Sequence, residues 1–325
     1  MLRFATLFPI ALATALTTAV LASGTAFAQD PTEPPMADPM APPADPNAPP
    51  PAMAGEMGAP PAGGTMAGTP SELTRRGVQE RAGTIAIKSL IGLNMSSGAV
   101  LKPVTVSPDV YFALNDKLQL GIVHTFPMRE QTPAFGGTSG FGGPSICLGG
   151  TDRGCPRLYN NVGLDVLYSL VDSATGGTTD LSAHVAYFIS SLKHPLTDDL
   201  LSSVGLGVRG KLHFSDMMAL QFDPQIYVGV TNRESNNTQM IYVPVELQYQ
   251  LNPMLGLALQ TGLWGNTEAF GDSYQIPLGL MALYNIDQMI DVGARFSFDN
   301  LLGATAKNFG RADLRTLGIL VNLRF

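Results

Sequence analysis

Ten charged residues occupy the polar side of alternating segments: Lys88, Asp109, Asp165, Arg209, Lys211, Asp223, Glu246, Asp291, Arg295 and Arg324. Five are acidic and five basic. If their segments close around one space, charges of both signs point into it. They can then form a constriction that filters small polar solutes. Alternatively they pair across the space and fill it. Since neither sign dominates, weak ion selectivity is expected.

Other chemistry is sparse. The chain has four histidines, His124, His184, His194 and His213. His194 lies close to Asp198 and Asp199, and a His–Asp pair can activate water or a nucleophile. His124 lies near the outer end of its segment. Their spacing matches no catalytic motif, so the chain is not expected to be an enzyme, with a hydrolase kept as an alternative. Cys147 and Cys155 stand eight positions apart in a Gly-rich loop. In an oxidising compartment a disulfide is expected there, contributing about 2–3 kcal/mol for so short a loop. A zinc site is the alternative, but no histidine is near in sequence, so no metal is assigned. No Gly-rich phosphate loop follows a strand and opens a helix, and no cofactor is expected.

Positioning begins with export. Arg3 precedes an apolar run, Phe4 to Ala22, and Ala26-Phe27-Ala28 has the small-residue pattern that signal peptidase reads, so residues 1–28 are expected to be removed after Ala28. Beyond that point no stretch of 18 apolar residues exists, which excludes a transmembrane helix. A net charge of −7 gives no basic field, which excludes nucleic acid as a partner. Residues 29–81 read as a linker. Up to about residue 70 it is Pro, Ala, Met and Gly without period, and cannot bury a core. Its methionines at 36, 40, 53, 57 and 66 would suit a soft metal, low-complexity drift being the plainer reading. Residues 71–81 read as a short charged turn or helix, either a small plug or, more commonly, a periplasmic lead-in.

From residue 82 a period of two takes over. Met218, Leu220, Phe222, Ile226, Val228 and Val230 share one face, while Ala219, Gln221, Asp223, Gln225, Tyr227 and Gly229 share the other. Pro224 takes an oily-face position, which in a lone strand implies an edge or a bulge. Twelve such segments follow one another, at 82–95, 100–114, 117–127, 159–171, 179–190, 201–214, 217–231, 238–251, 254–264, 273–285, 288–299 and 311–325. Many run to ten residues or more, the length of a tilted membrane-crossing strand. Short turns at Asn115-Asp116, Ser215-Asp216, Asn252-Pro253 and Ile286-Asp287 alternate with longer loops. The loop 128–158, with its Gly-rich core Phe135-Gly136-Gly137-Thr138-Ser139-Gly140-Phe141-Gly142-Gly143, reads as a lid, a binding surface or a plain surface loop. The expected fold is an all-β, transmembrane, antiparallel up-and-down barrel of about twelve strands over residues 82–325.

The terminal strand, Leu317-Gly318-Ile319-Leu320-Val321-Asn322-Leu323-Arg324-Phe325, makes the region resemble the bacterial outer-membrane β-barrel superfamily. That resemblance implies an outer-membrane location, contact with outer-membrane lipid, and delivery by the barrel-assembly machinery through Leu323 and Phe325. It identifies no subfamily. The expectation it carries is a narrow, porin-like passive channel for small hydrophilic solutes. A non-conducting structural or surface-binding barrel is the alternative.

Overall fold

The computed structural model describes residues 72–95, 104–124, 146–148, 161–173, 177–190, 201–231, 233, 238–304 and 315–325. The export signal, the Pro-rich stretch to residue 71, most of the loop 128–158, His194 and Cys155 lie outside them. Of Cys147 only the backbone is described.

The strands are β1 (Ile85–Asn94), β2 (Val104–Ala113), β3 (Leu118–Val123), β4 (Ile146–Leu148), β5 (Asn161–Val171), β6 (Thr179–Ser190) and β7 (Leu201–Ser215). They continue as β8 (Met218–Phe222), β9 (Gln225–Gly229), β10 (Met240–Asn252), β11 (Leu255–Asn266), β12 (Gln275–Asn285), β13 (Ile290–Gly303) and β14 (Arg315–Arg324). Each pairs antiparallel with its neighbours, and β1 pairs with both β2 and β14, which closes the sheet. The seam is sealed at its end by reciprocal bonds between Ile85 and Phe325, at 3.0 and 2.9 Å. Closure leaves no sheet edge in the wall.

Among the described residues, the fourteen strands make a twelve-strand wall for two local reasons. β4 is not a wall strand. It lies in the loop 128–158 and pairs with Val104–Val106 of β2, beyond the point where the shorter β3 ends. β8 and β9 are one crossing interrupted at Asp223-Pro224. Val245 faces Phe222 and Tyr242 faces Gln225, so the interruption sits opposite Val243-Pro244. Asp223 faces Pro244 and Pro224 faces Val243, so two imino acids within this stretch supply no N–H to the ladder. The strand is interrupted although its register runs on unshifted on both sides, without the bulge that Pro224 alone implies.

Three short turns use one device. Asn115 Oδ1 accepts from the N–H groups of Lys117 and Leu118, both at 2.9 Å. Asn252 Oδ1 does the same for Met254 and Leu255, and Asp287 Oδ1 for Met289 and Ile290. Each side chain satisfies the donors that the reversal leaves unpaired.

The two faces separate as period two requires. Leu164, Leu206, Ile226, Leu280 and Ile319 stand on the outside, Leu280 being 65% exposed. So much apolar side chain turned outward requires a hydrocarbon surround. The inner face is not uniformly polar, however. Two apolar patches line it. One joins Tyr111, Phe188, Tyr227, Tyr242 and Trp264. The other joins Leu90, Ala258, Met281, Leu283 and Leu320. In the first patch, rings lie against glycines directly opposite them. Tyr111 covers Gly121, Phe188 covers Gly163 and Tyr227 covers Gly205.

Candidate functional site in the barrel interior

Inside the wall, at the end that carries the short turns, residues 72–81 cross the barrel. The sequence favours a lead-in outside the barrel here, within the linker assigned to 29–81. The side chains instead pack within the mouth. A single 3-10 turn, Leu73–Arg75, begins the segment. Leu73 seats in the second inner apolar patch, with Leu90, Met281, Leu283 and Leu320. Burying one leucine side chain contributes about 1.5–3 kcal/mol, and it covers an apolar patch that would otherwise line the lumen. Gly83, at φ 80°, then bends the chain from the segment into β1.

Polar contacts hold the rest in place. Thr74 Oγ1 donates to Asp216 O at 2.6 Å in the β7–β8 turn. Lys211 Nζ donates to Leu73 O and Arg76 O at 2.7 and 2.9 Å. The ring Nδ1 of His213 meets Thr74 O at 2.8 Å, while its Nε2 meets Asp180 at 2.7 Å. The Arg76 guanidinium forks onto both carboxylate oxygens of Asp291, each at 2.7 Å, and reaches Asn285 at 3.0 Å. Arg324 Nη1 donates to the same Asp291 at 2.8 Å. Glu80 lies between Lys88 and Arg324, each at 3.3 Å, and its N–H donates to Gln119. Gln79 reaches Ser182. The ten residues thus grip β1, β3, β6, β7, β12, β13 and β14.

Glu80 also sets a pH limit on this grip. Burial would raise its carboxyl, but Lys88, Arg324 and Arg76 outweigh that and hold it below the ordinary glutamate value. A depressed carboxylate stabilises the docked segment above its unfolded value, about 4.3. The contribution is lost as pH falls through the lower, docked value. Hydrogen-exchange protection over residues 72–81 should therefore hold from neutrality to that range and decline below it. In Glu80→Gln the acid-dependent decline should shrink; an unchanged decline would refute the assignment to Glu80.

Seven of the ten residues singled out from the sequence lie in two groups. Lys88, Lys211, Asp291 and Arg324 grip the segment. Asp165, Arg209 and Asp223 surround His184. Its Nδ1 meets Asp223 at 2.8 Å, its Nε2 meets Asp165, and Arg209 binds Asp223 at 2.9 Å. These four residues tie β5, β6, β7 and the β8–β9 junction together. They are nearly solvent-free, and the imidazole is held at both nitrogens by carboxylates rather than by a nucleophile. Glu246 accepts from Gln248 and Gln260 at 2.5 and 2.7 Å. Asp109 accepts from His124 N–H at 2.6 Å. Arg295 is buried on β13. His124 packs its ring nitrogen against Pro108 O. Among the described residues no cluster of three or more His, Cys, Asp or Glu is arranged to hold a metal.

The residues the sequence reading missed are Leu73, Arg76, Glu80, Asp180 and His184. Asp180 and His184 carry a usable signal, since both fall on the polar face of β6. Residues 72–81 carry no period, and only their charges among uncharged neighbours mark them.

No protein-family model matches the chain, and no curated protein matches it. Solved structures do. The NanC porin is similar at 10% identity over 74% of this chain and 98% of that one, with a TM-score of 0.45. The KdgM porin is similar at 8% over 74% and 99%, with a TM-score of 0.44. An outer-membrane channel from Pseudomonas putida F1 is similar at 10% over 76% and 97%, with a TM-score of 0.45. Its own closed seam, outward apolar face and inward charges make this chain a twelve-stranded antiparallel barrel of the outer-membrane type.

Proposed function

We propose that this protein is an outer-membrane channel for small hydrophilic solutes whose periplasmic mouth is closed by its own residues 72–81. One observation supports this above others. A segment outside the wall is gripped across the mouth by seven strands, through an apolar anchor and buried charges. A barrel filled only for rigidity needs no such insert, because its own inward side chains suffice. Twelve strands lie between filled eight-strand barrels and open porins in width, and inward charges of both signs favour small polar solutes over ions of one sign. In the same proposal the outer face meets lipid, the assembly machinery reads Leu323 and Phe325, and Cys147 bonds Cys155.

Planar-bilayer recording tests it. Wild-type protein should be mostly silent. Arg76→Ala removes the fork onto Asp291 yet leaves Asp291 neutralised by Arg324, so the barrel should stay folded while the segment undocks. Frequent openings of low ion selectivity are expected. A folded Arg76→Ala protein with a released segment and no conductance would instead support a non-conducting structural barrel.

A further inference from the structure

Between the docked segment and the wall lies a cavity of about 120 Å³. Its two sides differ in chemistry. One is hydrocarbon, from Leu90, Met281, Leu283 and Leu320. The other is polar and includes Glu246, Gln248 and Lys88.

The polar side has unused capacity. Gln248 is 1% exposed, and its Oε1 has no hydrogen-bond partner. Its orientation is fixed by its neighbours. The amide nitrogen donates to Glu246 at 2.5 Å and faces Gln221 Oε1 at 3.3 Å. Flipping the amide would set oxygen against a carboxylate at 2.5 Å. A buried acceptor left without a donor forfeits the hydrogen bond that water would give it, so the site favours a group that donates. Glu246 adds acceptor capacity, since both its oxygens meet only amide N–H groups and it makes no ion pair within 4.0 Å among the described residues. Lys88 brings donors. Its ammonium carries three N–H bonds, meets Glu80 at 3.3 Å and stands 4.9 Å over the Tyr111 ring.

We propose that this cavity is a subsite for a neutral polyhydroxylated solute, a sugar or a polyol. Its hydroxyls donate to Gln248 and Glu246 and accept from Lys88, while its C–H face lies on the leucine side. Charges of both signs surround the cavity, so an ionic solute meets repulsion along with attraction. A neutral solute that both donates and accepts meets neither. The proposal deepens the channel reading and rests on it for its physiological meaning, but binding is measurable without conduction.

Titration calorimetry on the full chain in micelles, as wild type and as Arg76→Ala, tests it with glucose and sorbitol. Gluconate and glucosamine serve as charged controls. Glucose or sorbitol should bind more tightly than either control. Gln248→Met, which keeps length and removes the acceptor, should weaken that binding at least tenfold, with protection over residues 72–81 unchanged. If Gln248→Met does not fold, Glu246→Gln should weaken it in the same direction. No binding to either form, equal binding of the charged controls, or full binding by a folded Gln248→Met would overturn the proposal. A silent bilayer alongside positive calorimetry would remove the channel and keep the subsite. Conductance without neutral-solute binding would do the reverse.

Discussion

Asp291→Ala is expected to destabilise the barrel by about 3–5 kcal/mol, the cost of removing one partner from a buried charge cluster. Asp291 has no solvent exposure. It accepts two N–H bonds from Arg76 and one from Arg324. Its loss leaves two buried guanidinium groups facing each other without their shared counter-charge. Arg76 belongs to the docked segment and Arg324 to the last strand, so one substitution should free the segment and loosen the seam beside β1. Arg76→Ala should cost clearly less, because Asp291 keeps Arg324. Urea unfolding in micelles, followed by the mobility difference between folded and unfolded barrel, gives both values. Equal losses for the two variants would contradict the cluster's assigned role.

Gly207→Ala is expected to cost about 1–3 kcal/mol or more and to lower the folded yield, as overpacking does where the surroundings cannot move. A Cβ on Gly207 would run into Pro224 O and stand 2.9 Å from Gln225 Cα, both backbone atoms. The usual escape, a side chain swinging aside, is therefore closed. Pro224 O also accepts the Val208 N–H at 3.2 Å, so withdrawing it breaks a bond between β7 and the β8–β9 junction. Gly271→Ala is the control. A Cβ there meets nothing within 4 Å, and its effect should be near zero. The same unfolding measurement compares them, and similar stability for the two variants would show that the β8–β9 junction at Pro224 yields freely.

The contrast between wall and interior follows from what a sequence can encode by repetition. A strand repeats every two residues, so Val204, Leu206 and Val208 announce one face and Gly205, Gly207 and Arg209 the other without knowledge of their neighbours. Twelve such segments, the Asx turns at Asn115, Asn252 and Asp287, and the inward placement of charges such as Asp291 and Lys211 follow from that local rule. The docking of Leu73, Arg76 and Glu80 does not. Arg76 and Asp291 are separated by 215 positions, and nothing near Arg76 marks its partner. Inner apolar residues such as Leu90 and Leu320 were hidden for a related reason. A strand whose two sides are both apolar reads as interrupted alternation, and only the presence of Leu73 inside the mouth explains why a lumen carries leucines. The break at Asp223-Pro224 was half legible. Pro224 signals an interruption, while the meeting of Asp223-Pro224 with Val243-Pro244 depends on register.

A reversible lock on the segment tests its closure of the mouth most directly. An ideal Cβ on Gly256 would lie 3.0 Å from Leu73 Cβ, within a small adjustment of the spacing of about 3.5–4.5 Å that a disulfide spans. The measurement is single-channel conductance of Leu73→Cys/Gly256→Cys/Arg76→Ala, with Cys147 and Cys155 changed to Ser. Oxidised protein should be silent, and adding reductant should open the same channels to the level of Arg76→Ala alone. Conductance that persists in the oxidised form, or silence that persists after reduction in a folded barrel, would contradict closure by residues 72–81.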